Sequence, residues 1–323
     1  MKWIYRLAFI VFCLSVMYFL GPAPKQPKYE PTLPTVPTEA AALEKYVSEI
    51  ESKHHVKPDN EARIVWADSS RKKTKYAIVY LHGFSATQEE GNPVHRHFAK
   101  KLGCNLYLSR LAEHGIDTTD ALINYTCDKL WQSAKEALAI GLSLGDSVIL
   151  MGTSTGGTLN LMMAAQYPQI KAIINMSPNI AINDPNAWIL NNPWGITIAR
   201  IVKNGTDNVI EGQSNEFQKY WNTRYRLEAA CELQQLVETS MNNDTYKKVT
   251  IPVLNLYYYK DEENQDKVVK VEAIKAMHEQ LASKRKVIKA MPNVGDHVMG
   301  SPIKSKDVEG VKVAIEEFLI EIL

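Results

Sequence analysis

The sequence predicts an α/β fold, in which a mostly parallel β-sheet is covered by helices on both faces. From residue 76 to residue 323, short apolar runs typical of buried strands alternate with stretches of helical periodicity. Strands that are separated by helices pair in parallel, and such a sheet is buried on both sides. Residues 177–250 show no strand pattern, so we interpret this interval as a helical cap inserted between two strands.

The elements can be assigned in order along the chain. Runs of consecutive apolar residues predict strands, and apolar residues spaced three and four apart predict helices. We predict strands at 76–81, 105–111, 147–151, 170–176, 253–259 and 286–290, and helices at 39–52, 93–102, 119–142, 155–166, 268–282 and 308–323. The first of these helices, which places Leu43, Val47 and Ile50 on one face, precedes the alternating part of the chain.

Composition and charge exclude several classes of function. The 323 residues carry 37 basic and 36 acidic side chains, a formal net charge of +1, so we expect no nucleic acid as a partner. Apolar residues make up 45% of the chain, which is enough for a substantial core. The four cysteines form no Cys-x-x-Cys pair, so we predict no metal site.

Residues 1–21 form a candidate membrane anchor or signal segment. Lys2 and Arg6 precede an apolar run from Leu7 to Leu20, which approaches the lower length limit of a membrane span if residues 3–5 are included. The residues after the run make a poor cleavage site. We therefore favour an uncleaved anchor, with the enzyme outside the cytoplasm. A cleaved signal peptide and a cytosolic protein with an apolar N-terminus are the alternatives.

Residues 22–38 are rich in proline and predict an extended, semi-rigid linker. Proline fixes one backbone angle and lacks an N–H donor, so this segment cannot form a helix or a central strand. We expect it to hold the folded part, residues 39–323, away from the bilayer.

Ser154 is the strongest candidate for a chemical role. It lies within the run Gly152-Thr153-Ser154-Thr155-Gly156, which follows a predicted strand and opens a predicted helix. In that setting a G-x-S-x-G pattern is informative, because small flanking residues allow a sharp turn that projects the hydroxyl. The N-terminus of the helix also favours negative charge beside the serine. We predict that Ser154 is a nucleophile.

A serine hydroxyl needs a base, which is usually a histidine oriented by a carboxylate. On a strand–turn–helix nucleophile the chain order is serine, acid, histidine, and only His278 and His297 follow Ser154. His278 lies within a predicted helix, where a packing or surface role is expected. His297 lies in a glycine-containing loop after the last predicted strand, and we predict that it is the base.

The acid is expected in the loop that follows the strand at 253–259. This loop contains four carboxylates, of which Asp266 stands next to the predicted helix and Asp261 stands nearer to the strand. We favour Asp266 and keep Asp261 as the alternative, and Asp266 could instead serve only as a helix cap.

Acyl transfer also requires hydrogen-bond donors for the oxyanion that develops on the substrate. The backbone N–H of Thr155, directly after the nucleophile, is one candidate. The second is the backbone N–H of Phe84 in the run His82-Gly83-Phe84, which follows the strand at 76–81. We expect His82 to order this loop, since it precedes Ser154 in the chain.

Four motifs together resemble the α/β-hydrolase superfamily: His82-Gly83-Phe84, Gly152-x-Ser154-x-Gly156, Asp266-x-Val268-Val269 and Gly295-Asp296-His297. Their spacing is similar to that of its carboxylesterase and monoacylglycerol-lipase-like branch, which also includes serine aminopeptidase-like hydrolases. The resemblance covers roughly residues 75–323. It implies an eight-stranded, mostly parallel sheet, a cap domain and cofactor-free hydrolysis through an acyl-enzyme. The segment Glu113-His114-Gly115 departs from the usual pattern and leaves open whether Arg110 or His114 contacts substrate.

The resemblance and the apolar, aromatic cap predict a serine hydrolase that acts on a small acyl ester or lipid-like substrate. Hydrolysis of amides or peptides on the same residues is one alternative. A catalytically inactive hydrolase fold that serves as a binding module is another, because fold alone does not determine function.

Overall fold

The computed structural model describes residues 2–323. The strands are β1 (Arg63–Val65), β2 (Thr74–Leu81), β3 (Asn105–Leu108), β4 (Gly145–Thr153), β5 (Ile170–Met176), β6 (Asp207–Val209), β7 (Arg224–Arg226), β8 (Val253–Tyr257) and β9 (Lys286–Ala290). The α-helices are α1 (Lys2–Phe19), α2 (Ala40–Glu51), α3 (Val94–Leu102), α4 (Cys127–Leu144), α5 (Thr155–Gln166), α6 (Gly195–Lys203), α7 (Asn215–Tyr220), α8 (Leu227–Ser240), α9 (Asn243–Tyr246), α10 (Val271–Gln280) and α11 (Val308–Ile322).

Within residues 2–323 the main sheet contains seven strands in the order β1-β3-β2-β4-β5-β8-β9, all parallel except β1, which pairs antiparallel with β3. The mostly parallel sheet flanked by helices confirms the predicted fold class. It has one strand fewer than the resemblance implies. The chain before β1 forms α2 and the proline-rich segment, and proline cannot supply the hydrogen bonds of another strand.

The sheet is buried on both faces, as its apolar strands predict. Helices α2, α4, α5 and α10 cover one face, and α3 and α11 cover the other. Helix α4 begins at Cys127 rather than near residue 119, because Thr126 caps it by accepting a hydrogen bond from the backbone N–H of Lys129. Strand β4 lies at the centre of the sheet. Residues that follow its carboxyl end are therefore at the middle of the edge that the carboxyl ends of the parallel strands form.

The interval between β5 and β8 forms a cap of helices, as expected, but it also contains a strand pair that the sequence pattern does not predict. Strands β6 and β7 pair antiparallel over three residues each. Their sequences, Asp-Asn-Val and Arg-Tyr-Arg, are too short and too polar to show a period-two apolar pattern.

The proline-rich segment forms no helix or strand, as predicted, but it lies against the folded domain. Residues between Lys25 and Thr32 form hydrogen bonds with α4, with α8 and with the end of α5: Lys28 N–H to Asp128, Tyr29 with Thr239, Trp131 Nε1 to the Glu30 carbonyl, Lys135 Nζ to the Thr32 carbonyl, and Tyr167 to the Pro31 carbonyl. The segment therefore does not act as a free spacer, because its backbone groups are bound by side chains of the domain.

Candidate active site

Ser154 stands on a sharp turn between β4 and α5, at the centre of the sheet. Its backbone has φ 54° and ψ −115°, a strained conformation for a residue with a side chain. The turn is held by a 3.0 Å hydrogen bond from the Ser154 N–H to the carbonyl of Met176. A Cβ atom at position 156 would collide with the Leu81 carbonyl oxygen, so glycine is required there for the close approach of β2 and α5.

His297 and Asp266 are brought together by two loops that follow neighbouring strands. The loop after β9 carries His297 and the loop after β8 carries Asp266. The His297 Nδ1 atom lies 2.7 Å from Asp266 Oδ2, and both side chains are buried. The other carboxylate oxygen of Asp266 accepts hydrogen bonds from the backbone N–H groups of Val268 and Val269. The carboxylate therefore both orders its own loop and orients the imidazole.

The environment of this pair favours its charged forms. Burial lowers the pKa of His297, but the charge of Asp266 and the hydrogen bond with it outweigh burial and raise that pKa above its ordinary value. Burial raises the pKa of Asp266, and the His297 charge together with three hydrogen bonds brings it below its ordinary value. An imidazole whose cationic form is stabilised can accept a proton from a neighbouring hydroxyl.

The two backbone N–H groups predicted to bind the oxyanion belong to Thr155, directly after the nucleophile, and to Phe84, which lines the same cavity as Ser154. Among residues 2–323, neither the Phe84 N–H nor the Thr155 N–H donates to another protein group. His82 holds the loop that carries Phe84. Its Nε2 accepts a 2.9 Å hydrogen bond from the Leu111 N–H, so its Nδ1 carries the proton donated to the Gly83 carbonyl at 2.9 Å. Burial lowers the pKa of His82 well below its usual range, consistent with a neutral ring.

Glu90 is a site residue that sequence reasoning missed. Its carboxylate is buried, and Oε2 accepts a 2.6 Å hydrogen bond from the Gly83 N–H, directly before Phe84. Burial raises the pKa of Glu90 to about 7, although the Gly83 hydrogen bond and the His297 charge act to lower it. Nothing in the local pattern separates Glu90 from its neighbour Glu89, which is only half-buried, so the sequence offered no signal for it.

The site opens into a cavity of about 770 Å³ beneath the cap. Its lining includes Ser154, His297, Phe84 and Glu90. The cap contributes apolar side chains, including Ile189, Leu190, Ile198, Ala199, Phe217, Trp221 and Leu227. Trp221 is buried and stacks on Phe217 with ring centroids 4.3 Å apart. Of the three cap tryptophans, Trp221 therefore shapes the cavity, whereas Trp188 and Trp194 are exposed.

Several other candidates lie away from this arrangement. Asp261 is exposed, and its carboxylate accepts hydrogen bonds from Glu263 and Asn264 within its own loop. His278 is buried on α10, where Asn255 contacts its Nδ1 atom. Arg110 forms an ion pair of 2.7 Å with Glu51 and donates to the carbonyl of His114, so both residues order the loop and neither lines the cavity. Within residues 2–323, no cluster of His, Cys, Asp and Glu side chains could hold a metal ion.

Comparison with known proteins finds similarity at the level of the fold. No family model matches the chain. A "Probable alcohol acetyltransferase" of Saccharomyces cerevisiae is 26% identical over 117 residues, which is 36% of this chain and only 34% of that protein's length.

Solved structures match over most of the chain. A structure from the study of LipS and LipT, two metagenome-derived lipolytic enzymes, superposes with a TM-score of 0.65 at 17% identity, covering 82% of this chain and 99% of the other. The monoacylglycerol lipase of Paleococcus ferrophilus gives 0.60 at 16% identity, covering 81% and 98%. A soluble variant of the monoglyceride lipase of Saccharomyces cerevisiae gives 0.56 at 14% identity, covering 81% and 92%.

At these identities the likeness concerns the fold. The sheet order, the turn at Ser154 and the structural neighbours agree, and they confirm the resemblance at that level: this chain has the α/β-hydrolase fold.

Proposed function

We propose that this protein is a serine hydrolase that cleaves carboxylic esters through an acyl-enzyme. The observation that carries the proposal is the 2.7 Å contact between buried Asp266 and His297, which lines the same cavity as Ser154 on its strained turn. Ser154, Asp266 and His297 follow the chain order serine, acid, histidine of such sites, and lipases and esterases are among the structural neighbours.

Each residue has a defined role in the proposed reaction. The Ser154 Oγ atom attacks the acyl carbonyl, and its proton passes to Nε2 of His297 while Asp266 stabilises the imidazolium. The N–H groups of Phe84 and Thr155 bind the oxyanion. Collapse of this intermediate breaks the bond to the alcohol, which leaves with the proton from His297. Water then adds to the acyl-enzyme by the same steps and releases the acid.

The cavity supports an acyl ester as substrate. Its walls carry many apolar side chains of the cap, so an acyl chain can be buried there while the reacting carbonyl meets the donors beside Ser154. We expect the purified full-length protein to hydrolyse p-nitrophenyl esters with kcat/KM at least about 100-fold above that for aminoacyl p-nitroanilides. Preference for the amides would instead support a peptidase, and inactivity toward both would support a binding module.

The acetyltransferase relative suggests one further arm for this experiment. An alcohol can replace water as the acceptor from an acyl-enzyme, so ester hydrolysis should also be measured with added ethanol and the products analysed. Free acid as the main product supports hydrolysis, and ethyl ester as the main product supports acyl transfer.

We also propose that Glu90 holds the loop that carries the Phe84 N–H in place. Glu90→Ala removes the acceptor of the Gly83 N–H and is expected to lower kcat by about tenfold, the effect of losing one charge-assisted hydrogen bond. Glu90→Gln keeps an acceptor oxygen and should lose less. Because the Glu90 charge raises the pKa of His297, the Gln variant should also shift the acid limb of kcat/KM toward lower pH. Glu89→Gln is the matched control, and a similar shift in that variant would contradict this role.

We further propose that α1 is an uncleaved membrane anchor with the catalytic domain outside the cytoplasm. Within the described residues, Lys2–Phe19 is the one helix long and apolar enough to cross a membrane. A mature protein whose intact mass lacks residues 1–21 would instead support a secreted or periplasmic enzyme.

A further inference from the structure

Helix α6 of the cap presents an apolar stripe to solvent. Gly195 and Ala199 are buried, whereas the apolar side chains of Ile198, Ile201 and Val202 form an exposed stripe along the helix. Ile201 and Val202 expose 74% and 75% of their surface. An apolar stripe of this kind on a short surface helix is typical of a contact with another apolar phase.

The end of the apolar helix α1 lies directly against the start of α6. The Trp194 indole Nε1 donates a 3.0 Å hydrogen bond to the carbonyl of Met17, and the Trp194 N–H donates at 3.0 Å to the carbonyl of Pro22. The indole also packs on Gly21. Trp194 therefore joins the last turn of α1 to the first turn of α6.

The same stripe borders the entrance of the cavity. Val202 and Lys203 line the cavity and are exposed, so they stand at its rim. Ile198 also lines the cavity while remaining exposed. The junction with α1, the apolar stripe and the cavity entrance are thus contiguous on one side of the molecule.

From this arrangement we propose that the apolar stripe of α6 rests on the lipid bilayer into which α1 inserts, so that the cavity entrance receives its ester substrate from the membrane. We assign the lipid bilayer as the surface that the stripe contacts. The neighbouring helix α1 is apolar enough to cross a membrane, and none of its residues is buried by the protein. An indole at the junction suits this position, since tryptophan favours the interface between lipid and water. The inference rests on the proposed anchoring and ester hydrolysis.

A fluorescence experiment tests the contact without requiring turnover. Full-length protein carrying Cys13→Ser and Ile201→Cys is labelled with an NBD fluorophore at position 201 and reconstituted into phosphatidylcholine vesicles that contain nitroxide-labelled lipid. We expect strong quenching at position 201. Ile320→Cys on α11 is the matched control, because Ile320 is 75% exposed and lies on a different helix. Equal quenching at both positions, or quenching at neither, would overturn the proposal.

A kinetic experiment tests the consequence for substrate entry. Ile201→Glu should lower the turnover of a long-chain ester embedded in the vesicles by about tenfold, the effect of losing the burial of one large apolar side chain. Turnover of water-soluble p-nitrophenyl acetate should stay within about twofold, because the catalytic residues are untouched. Ile320→Glu should change neither rate. An equal loss on both substrates, or a loss on neither, would contradict the membrane contact, whereas an inactive wild-type protein would refute only the proposed hydrolysis.

Discussion

Replacing Ser154 by alanine is expected to lower kcat/KM for a p-nitrophenyl ester by about 10⁴-fold or more, because the attacking oxygen is lost while the rest of the site remains. Residual turnover would come from the oxyanion donors and from substrate binding alone. The fold should persist, since alanine is smaller than serine and the Ser154 N–H can still bond to the Met176 carbonyl.

The matched control for this variant is Ser85→Ala. Ser85 is also buried and lines the same cavity, but it follows Phe84 on a different loop. We expect its kcat/KM to stay within about tenfold of the wild-type value, the cost of a modest local change. Similar losses in the two variants would argue against a specific role for Ser154.

The second large effect is expected when Asp266 is changed to asparagine. The asparagine leaves the imidazole without its anionic partner and allows the wrong tautomer, so kcat should fall by about 10³- to 10⁴-fold. Loss of the Asp266 charge also removes the main interaction that raises the pKa of His297. Since His297 must be neutral to act as a base, the acid limb of the remaining activity should move toward lower pH.

Asp261→Asn provides the comparison that separates the two candidate acids. Asp261 bonds only within its own exposed loop, so its variant should retain kcat within about twofold and keep the wild-type pH profile, as for a surface change. A large loss in Asp261→Asn with a small loss in Asp266→Asn would reverse the assignment. Small, equal losses in both would leave His297 without the proposed carboxylate partner.

Local patterns were sufficient to predict the fold class and the candidate residues at its centre. Strand β4, the turn at Ser154 and helix α5 are neighbours in sequence, so apolar runs and small residues predict them directly. Asp266 and His297 could be proposed because parallel strands bring the loops at their carboxyl ends to one edge. Their 2.7 Å contact depends on the sheet order, which the sequence pattern does not specify.

What could not be predicted depends on contacts between distant segments. Glu90 becomes a site residue only because the loop after β2 folds back so that its carboxylate meets the Gly83 N–H. The proline-rich segment was expected to be a semi-rigid linker, because its composition indicates a stiff backbone. Composition does not indicate the side chains of α4 and α8 that bind it. The cap strands β6 and β7 are stabilised by each other and by their surroundings rather than by an apolar alternation.

The cap is where substrate choice is expected to be decided. Its apolar walls surround the entrance to Ser154, and α6 contributes to both the cavity and the outer surface. A change at a residue of α6 that lines the cavity, such as Ala199, should therefore alter acyl-chain preference, whereas a change at Ile201 should alter access from the bilayer. These two effects can be separated because Ile201 does not line the cavity.

The most direct test of a Ser154 nucleophile activated by His297 is to treat the full-length protein with a fluorophosphonate and map the adduct by peptide mass spectrometry. The proposed mechanism predicts one adduct, on Ser154, formed at a rate that rises with pH as His297 loses its proton. An adduct on another serine, or no adduct on the folded, ester-hydrolysing protein, would contradict it.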